Sequence, residues 1–324
     1  MKKLIRIVMV SCAYICARGV ADAAPPVPIT IVVFTPPSLG SILSSVIKKQ
    51  KFDLANGLDI KFAERTPDAY ATEFNSGEFQ VGGSASVLIQ ALANTRGVKT
   101  SYLFNLFDYW GAVVTSRPDI RTLADLRGKD IAAAKGTTNY TMFEWFVRQQ
   151  GVDPKSFKVL NTAPAGLLGY ALADRADAVE LWEPAYSLLL ARKPGIRTLD
   201  LHIRKVWRAF AGSDKIPNLG VAAHRGWIAR HRDLIEPLYR SYKQAADWVI
   251  AHPNAASSLV GPVKSPADRK ALAQMIRDNS QLVMDVSPAS DMKREIAATY
   301  RMGKTIGLLK TTPGPSAIYN GKLQ

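Results

Sequence analysis

The sequence predicts an α/β protein of two similar lobes, each a parallel-rich sheet flanked by helices, with a ligand cleft between the lobes. Apolar runs rich in β-branched residues alternate with segments of helical periodicity, which is typical of parallel sheets covered by helices. The order of these segments also occurs twice, first over residues 29–84 and again over residues 131–184. With 324 residues, 47% of them hydrophobic, the chain is long enough to bury a core in each lobe.

The first copy begins with the β-branched run 29–34, which predicts a buried strand. Pro37 and Ser38 follow in a loop, and Ser38 suits a helix N-cap. An apolar stripe at helical spacing then consists of Leu39, Ile42, Leu43, Val46 and Ile47. After the Asn56-Gly57 turn we expect a strand over 58–62, a helix ending at Asn75, and a strand over 79–81 that leads into a loop beginning at Gly82.

The second copy repeats this order. A strand over 131–134, the loop 135–138 and a helix striped by Tyr140, Phe143, Phe146 and Val147 are followed by Gly151, a typical residue just beyond a helix end. A strand over 157–160, a helix to Ala173 and a strand over 176–179 lead into the segment 180–184. Open parallel sheets bind ligands at the carboxyl ends of their strands, so two such sheets predict a cleft where these ends face each other.

The last third of the chain is predicted to be helical. Apolar residues recur at helical spacing over 233–251, and the segments 266–283 and 290–309 are also predicted helices. We expect them to pack on the lobes.

Residues 1–23 have the layout of a cleaved secretory signal peptide. Lys2, Lys3 and Arg6 are followed by an apolar run, and Ala21 and Ala23 provide small residues before a cleavage site at Ala24. The apolar run is shorter than the roughly 20 residues that a membrane-spanning helix needs. We therefore predict an exported protein.

Both cysteines, Cys12 and Cys16, lie in this leader, so residues 24–324 offer no disulfide, thiolate metal site or cysteine nucleophile. The formal net charge of +15 comes from dispersed basic residues. This charge favours attraction of anions over recognition of nucleic acid. The four histidines are not at metal-ligand spacing, and neither a nucleophile elbow nor a phosphate-binding glycine loop is present. We expect no catalytic residues, no metal and no cofactor.

Four segments resemble periplasmic binding proteins of the nitrate/sulfonate/taurine type, a family that shares its domain signature with thiamine-precursor binders. They are residues 122–138 at the start of the second lobe, the Asp177-Ala178 to Trp182-Glu183-Pro184 segment, residues 77–84, and residues 233–253. Within residues 77–84, Gln80 replaces the usual acidic residue. The four segments occur in the order expected for this family, and the resemblance extends over nearly all of the chain after the leader.

This resemblance implies a type II periplasmic binding protein fold, with residues 24–114 in lobe one, 115–217 in lobe two, and 218–324 returning to lobe one. The two crossings are expected near 111–116 and 219–224. It further implies a periplasmic, monomeric, non-enzymatic protein that binds a small solute for the membrane permease and ATPase of an ABC importer. A sensory protein that docks to a membrane receptor is the alternative.

Three small-residue segments are predicted to contact the ligand. They are Pro37-Ser38, Gly83-Ser84-Ala85 and Thr137-Thr138, each placed before a helix N-terminus. Exposed backbone amides and the helix dipole suit such positions to a sulfonate or carboxylate. Ser and Thr also cap helices without any ligand, which is the alternative for each segment alone.

Aromatic and acidic residues supply the other candidates. Trp182 suits the covering of an apolar ligand body, and Glu183 suits an amine or amide. The alternative is that Trp182 is a core residue and that Glu183 pairs with a nearby arginine or caps a helix. Glu180 is a weaker second candidate, and Phe107 and Tyr109 are expected on the cleft floor or in a packed hinge. An anionic organic solute and a thiamine-precursor-like heterocycle both stay open.

Overall fold

The computed structural model describes residues 24–36 and 38–324, so the predicted leader 1–23 and Pro37 lie outside the described residues. The strands are β1 (Val27–Phe34), β2 (Leu58–Arg65), β3 (Val81–Ser86), β4 (Thr100–Asp108), β5 (Ala112–Thr115), β6 (Asp130–Ala133), β7 (Lys158–Asn161), β8 (Ala178–Leu181), β9 (Arg197–Leu199), β10 (Pro217–His224) and β11 (Met284–Pro288). The helices are α1 (Leu39–Gln50), α2 (Phe52–Ala55), α3 (Pro67–Ser76), α4 (Val87–Thr95), α5 (Thr138–Gln149), α6 (Pro164–Leu172), α7 (Ala185–Arg192), α8 (Ile203–Ala211), α9 (Arg225–Arg230), α10 (Arg232–Ala251), α11 (Pro253–Val260), α12 (Pro266–Asp278) and α13 (Lys293–Thr305).

The strands form two sheets, and the predicted α/β class with two helix-flanked sheets is confirmed. The first sheet has the order β11-β4-β10-β3-β1-β2 and the second has the order β7-β6-β8-β5-β9. Both sheets are mixed, because parallel pairs at one side continue into antiparallel pairs at the other.

The internal repeat predicted from the sequence is visible in the topology. In the first sheet β1 lies between β2 and β3 and is parallel to both. In the second sheet β6 lies in the same way between β7 and β8. Each unit then gains an antiparallel neighbour, β10 beside β3 and β5 beside β8. Parallel strands end at the same edge of a sheet, so the loops after β1 and β3, and those after β6 and β8, share an edge in each lobe.

Two links connect the lobes. The chain leaves the first sheet at Asp108 and enters the second at Ala112, and it returns to the first sheet at Pro217. Strand β5 pairs with β8 and β9, so residues Ala112–Thr115 are part of the second sheet.

Two predicted segments differ from the structure. The residues Gly82, Gly83 and Ser84 were expected in a loop, but they lie inside β3 and are buried. The helix expected over 266–283 ends at Asp278, because Asn279 adopts a left-handed φ of 50°. The Asn279 side chain accepts a hydrogen bond from the backbone N of Met284 at 2.9 Å, which directs the chain into β11, an unpredicted strand.

Apolar side chains fill both faces of each sheet. In the first lobe, the helices α1, α10, α11 and α12 cover one face of the sheet and α3, α4 and α13 cover the other. The second core extends into lobe two, since it also contains Trp145 and Phe146 of α5 and Trp207 of α8. Within residues 24–36 and 38–324 no helix has the length and apolar character needed to cross a membrane.

Candidate functional site

Ser84 joins three elements at the strand-end edge of lobe one. Its hydroxyl accepts a hydrogen bond from the backbone N of Phe34 at 2.9 Å and donates one to the carbonyl of Gly40 at 3.0 Å. Ser84 is fully buried, so its hydroxyl holds β1, α1 and β3 together. Ser38 caps α1, because its hydroxyl accepts a hydrogen bond from Gly40 N at 3.2 Å.

Only glycine fits at the middle of β3. A Cβ atom at Gly82 would lie 2.3 Å from the Tyr70 hydroxyl, and one at Gly83 would lie 2.5 Å from the Tyr242 hydroxyl. Ala85 follows in the same buried strand, and Ser86 caps the next helix, α4. Gly83, Ser84 and Ala85 thus lie in a packed strand interior, and the cap that precedes α4 is Ser86.

Helix α5 begins at the corresponding edge of lobe two. Thr137 caps it, accepting a hydrogen bond from Tyr140 N at 3.3 Å and donating one to the carbonyl of Ala134 at 2.8 Å. The buried Thr138 hydroxyl donates to the side-chain oxygen of Asn218 at 3.5 Å. Since Asn218 lies on β10 of the first sheet, this contact joins the α5 N-terminus to lobe one.

Trp182 packs against two apolar clusters. One consists mainly of first-lobe residues but also contains Leu188 of α7, and the other is the second-lobe core that contains Leu181. The Trp182 side chain is half-buried.

Glu183 has its carboxylate satisfied within the chain. The two oxygens accept hydrogen bonds from Ser187 N at 3.1 Å and from the Ser187 hydroxyl at 2.8 Å. Burial raises the pKa of Glu183 to about 7, against the lowering effect of these bonds. The geometry is that of a cap on the first turn of α7, the alternative that the sequence left open.

Tyr109 and Phe107 do not lie together. Tyr109, in the link between β4 and β5, is buried and stacks on Phe146 of α5 with ring centroids 5.5 Å apart. Phe107 is fully buried in the first-lobe core on the face covered by α10. Tyr109 therefore lies at a contact between the lobes, and Phe107 packs inside lobe one.

Three buried polar residues were missed, or ranked only as weak candidates, in the sequence analysis. They are Glu180, Asn139 and Asn218. Glu180 could have been identified from the sequence, because it interrupts an apolar run that predicts a buried strand. An ionisable group is costly to bury without a partner, so its presence there indicates a function. Asn139 and Asn218 gave no such signal, since asparagine is common in loops and at helix ends.

Two surface cavities lie away from these loops. One, of about 740 Å³, is lined by Lys264, which precedes α12, and by Arg269 and Lys270 of α12. The other, of about 420 Å³, is bordered by Arg117, Asp130 and Asp177. Across the described residues, no group of three or more His, Cys, Asp or Glu side chains is placed to hold a metal ion. The candidate site is assigned to the strand-end loops, where Ser38 and Thr137 cap helices and Thr138 contacts Asn218 of the other lobe.

Several solved structures share this fold. The alkanesulfonate-binding protein SsuA from Xanthomonas axonopodis pv. citri, bound to MOPS, has a TM-score of 0.70 at 16% identity, with 92% of this chain and 99% of that chain covered. The periplasmic aliphatic sulphonate binding protein SsuA from Escherichia coli has a TM-score of 0.66 at 17% identity, covering 92% and 94%. The periplasmic nitrate-binding protein NrtA from Synechocystis PCC 6803 has a TM-score of 0.67 at 9% identity, covering 88% and 83%.

No curated protein matches the chain by sequence. A family model does match, the one described as NMT1/THI5 like, over residues 51–256. This range runs from the end of α1 into α11 and so includes the whole second lobe. The chain belongs to the NMT1/THI5-like family.

Proposed function

We propose that this protein is the periplasmic solute-binding component of an ABC importer, capturing a small organic solute between its lobes for delivery to a membrane permease. The observation that carries this proposal is the paired edge, at which helix N-termini of both lobes meet strand ends. Two chain links between the lobes suit closure by hinge motion around a solute. The described similarity to binding proteins of known structure supports the same function.

An anionic solute, a sulfonate or a carboxylate, is the ligand class we favour. Helix α5 begins at the lobe junction and α1 begins at the strand-end edge of lobe one, and their N-terminal dipoles and backbone amides attract negative charge. The net positive charge of the chain, most of which lies outside the leader, adds a favourable long-range field. The solved relatives that are named for sulfonates or nitrate agree with this class.

A heterocycle of the thiamine-precursor kind is the second candidate. The specific observation in its favour is Trp182, whose half-buried ring lies between the two cores where it can stack on a flat ligand. The description of the matched family points in the same direction.

A thermal-shift screen against sulfonates, carboxylates, nitrate and pyrimidines tests these classes. A true ligand at a hundred times its dissociation constant stabilises the protein by about 2.7 kcal/mol. We expect sulfonates or carboxylates to raise the melting temperature, and we expect the solute to be recovered chemically unchanged. A response to pyrimidines alone would establish the heterocycle, and turnover of the solute would establish an enzyme.

Two variants with matched controls locate the site. We expect Trp182→Ala to weaken the binding of either ligand class. Trp248→Ala is the control, because it also removes a half-buried indole, in this case from α10, and should leave affinity unchanged. For an anionic ligand, Thr138→Ala at the α5 N-terminus should weaken binding, whereas Thr72→Ala on the exposed face of α3 should not. Unchanged affinity in Thr138→Ala would rule out a contribution of the Thr138 hydroxyl to anion binding.

A further inference from the structure

Glu180 is a buried acid whose carboxylate has no hydrogen-bond partner among the described residues. It lies in β8 opposite Val113 of β5, and none of its surface is exposed. Both carboxylate oxygens lack a partner, and no described basic side chain forms an ion pair with them. Buried carboxylates are normally paired, because their desolvation is otherwise uncompensated.

Glu183 provides the internal comparison. It is three positions further along the same chain segment and equally buried, yet both of its oxygens accept hydrogen bonds from Ser187. The fold can therefore supply hydrogen-bond donors to a buried glutamate at this edge. It supplies none to Glu180 from the described residues.

Two other buried polar groups lack a hydrogen-bond partner among the described residues. One is the Tyr109 hydroxyl, and burial, followed by the charge of Glu180, raises the pKa of Tyr109. The other is the side-chain amide nitrogen of Asn139, in the first turn of α5. Burial raises the pKa of the adjacent Tyr140, followed by Glu144 and, to a smaller extent, by the charge of Glu180.

These groups belong to the lobe junction. Tyr109 is in the link between the sheets, and Asn139 follows Thr138, whose hydroxyl contacts Asn218 of lobe one. Strand β8 ends one residue after Glu180 and leads to Trp182. The unpaired carboxylate therefore belongs to the carboxyl end of β8, the strand that leads into Trp182.

We propose that Glu180 is the specificity-determining acid of the solute site, which accepts hydrogen bonds from a protonated or N–H-bearing nitrogen of the bound solute. Tyr109 and Asn139 hold polar groups that complete the contact to the same end of the solute. This inference rests on the proposed function and narrows it to solutes with an amine or amidine-like nitrogen. Glu180, and not Glu183 as the sequence suggested, would then bind the amine of the solute.

Titration calorimetry with two probes of equal chain length, propane-1-sulfonate and 3-aminopropane-1-sulfonate, tests this assignment. We expect the wild-type protein to bind the amino compound at least about tenfold more tightly, a difference of about 1.4 kcal/mol. Glu180→Gln should abolish that preference. Tyr109→Phe, which retains the ring stacked on Phe146, is a second variant that should reduce the preference.

Glu78→Gln is the matched control, because Glu78 is exposed on the first lobe and remote from β8; it should retain the preference. If Glu180→Gln retains the preference for the amino compound and Glu183→Gln loses it, the assignment to Glu180 is wrong. If wild-type protein binds both probes equally, the nitrogen-binding role is wrong although solute binding stands. If no probe and no compound in the thermal-shift screen binds, the proposed function fails and this inference fails with it.

Discussion

The ionisation of Glu180 couples the stability of the protein to pH. Burial raises the pKa of this residue from 4.5 to about 8. Because the pKa in the folded state lies above that in the unfolded state, its contribution to stability is complete below 4.5 and is lost as the pH rises through about 8. We expect Glu180→Gln, which cannot ionise, to gain stability relative to wild type as the pH rises, by at most about 1.4 kcal/mol per pH unit.

Urea unfolding of wild type and Glu180→Gln at about pH 5 and about pH 9 measures this gain as a change in the difference between them. The comparison cancels the contributions of Asp108 and Glu183, whose pKa values burial also raises, each to about 7. A difference that is the same at both pH values would mean that Glu180 titrates normally.

The packing around Gly83 makes a second prediction at the scale of a single residue. A Cβ atom there would lie 2.5 Å from the Tyr242 hydroxyl and 3.0 Å from Val33, so Gly83→Ala overpacks the core. We expect a loss of about 1–3 kcal/mol in the free energy of unfolding. Gly169→Ala is the control, because Gly169 is in the helix α6 with no atom within 4 Å of its Cβ position. It should be stabilising by up to about 1 kcal/mol, and an equal loss in both variants would contradict the packing argument.

At the scale of elements, an ion pair connects helix α7 of lobe two to the C-terminal helix α12. Arg192 at the end of α7 donates two hydrogen bonds of 2.9 Å to Asp268 in the first turn of α12. Asp268 is buried and also accepts hydrogen bonds from the backbone N of Lys264 and Ser265. The hydrogen bond from Arg192 lowers the pKa of Asp268 to about 2.

Arg192→Gln should destabilise the protein by about 3 kcal/mol, because it leaves a buried carboxylate without its cation. The contribution of the pair is present above pH 3.8, the ordinary pKa of the acid, and is lost as the pH falls through about 2. Denaturant unfolding at neutral pH measures the loss. Arg208→Gln, which removes an exposed partner of Asp214, should change stability by less than about 1 kcal/mol. Similar losses in the two variants would refute the role of burial.

Elements determined by neighbouring residues in the sequence could be predicted, whereas elements determined by distant contacts could not. The repeat of β1 to β3 in β6 to β8 followed from alternating apolar runs and turn residues, which are local signals. Strand β11 could not be predicted, because it depends on the left-handed Asn279 and on pairing with the distant β4. The burial of Gly83 inside β3 likewise depends on Tyr242 of α10, so the glycine pair suggested a loop from sequence alone.

The candidate site shows the same division between local and distant causes. Ser38 was predicted as a cap, and capping was the alternative given for Thr137, because a cap and its helix are adjacent in sequence. The partners of Glu183 and the absence of partners for Glu180 depend on side-chain directions at the end of β8, which residue types do not specify. The contact of Thr138 with Asn218 joins different lobes and needs the complete fold.

At the scale of the whole molecule, the predicted leader determines which residues the exported protein retains. Cleavage before Ala24 removes both Cys12 and Cys16, which lie outside the described residues. The first strand begins only at Val27, so the new N-terminus would leave β1 intact. We therefore expect exported protein to begin at Ala24 or a near neighbour, to carry no lipid, and to contain no thiol. Intact-mass spectrometry and thiol titration after unfolding measure all three properties, and a lipid-modified Cys12 or a titratable thiol would show that the leader is processed differently.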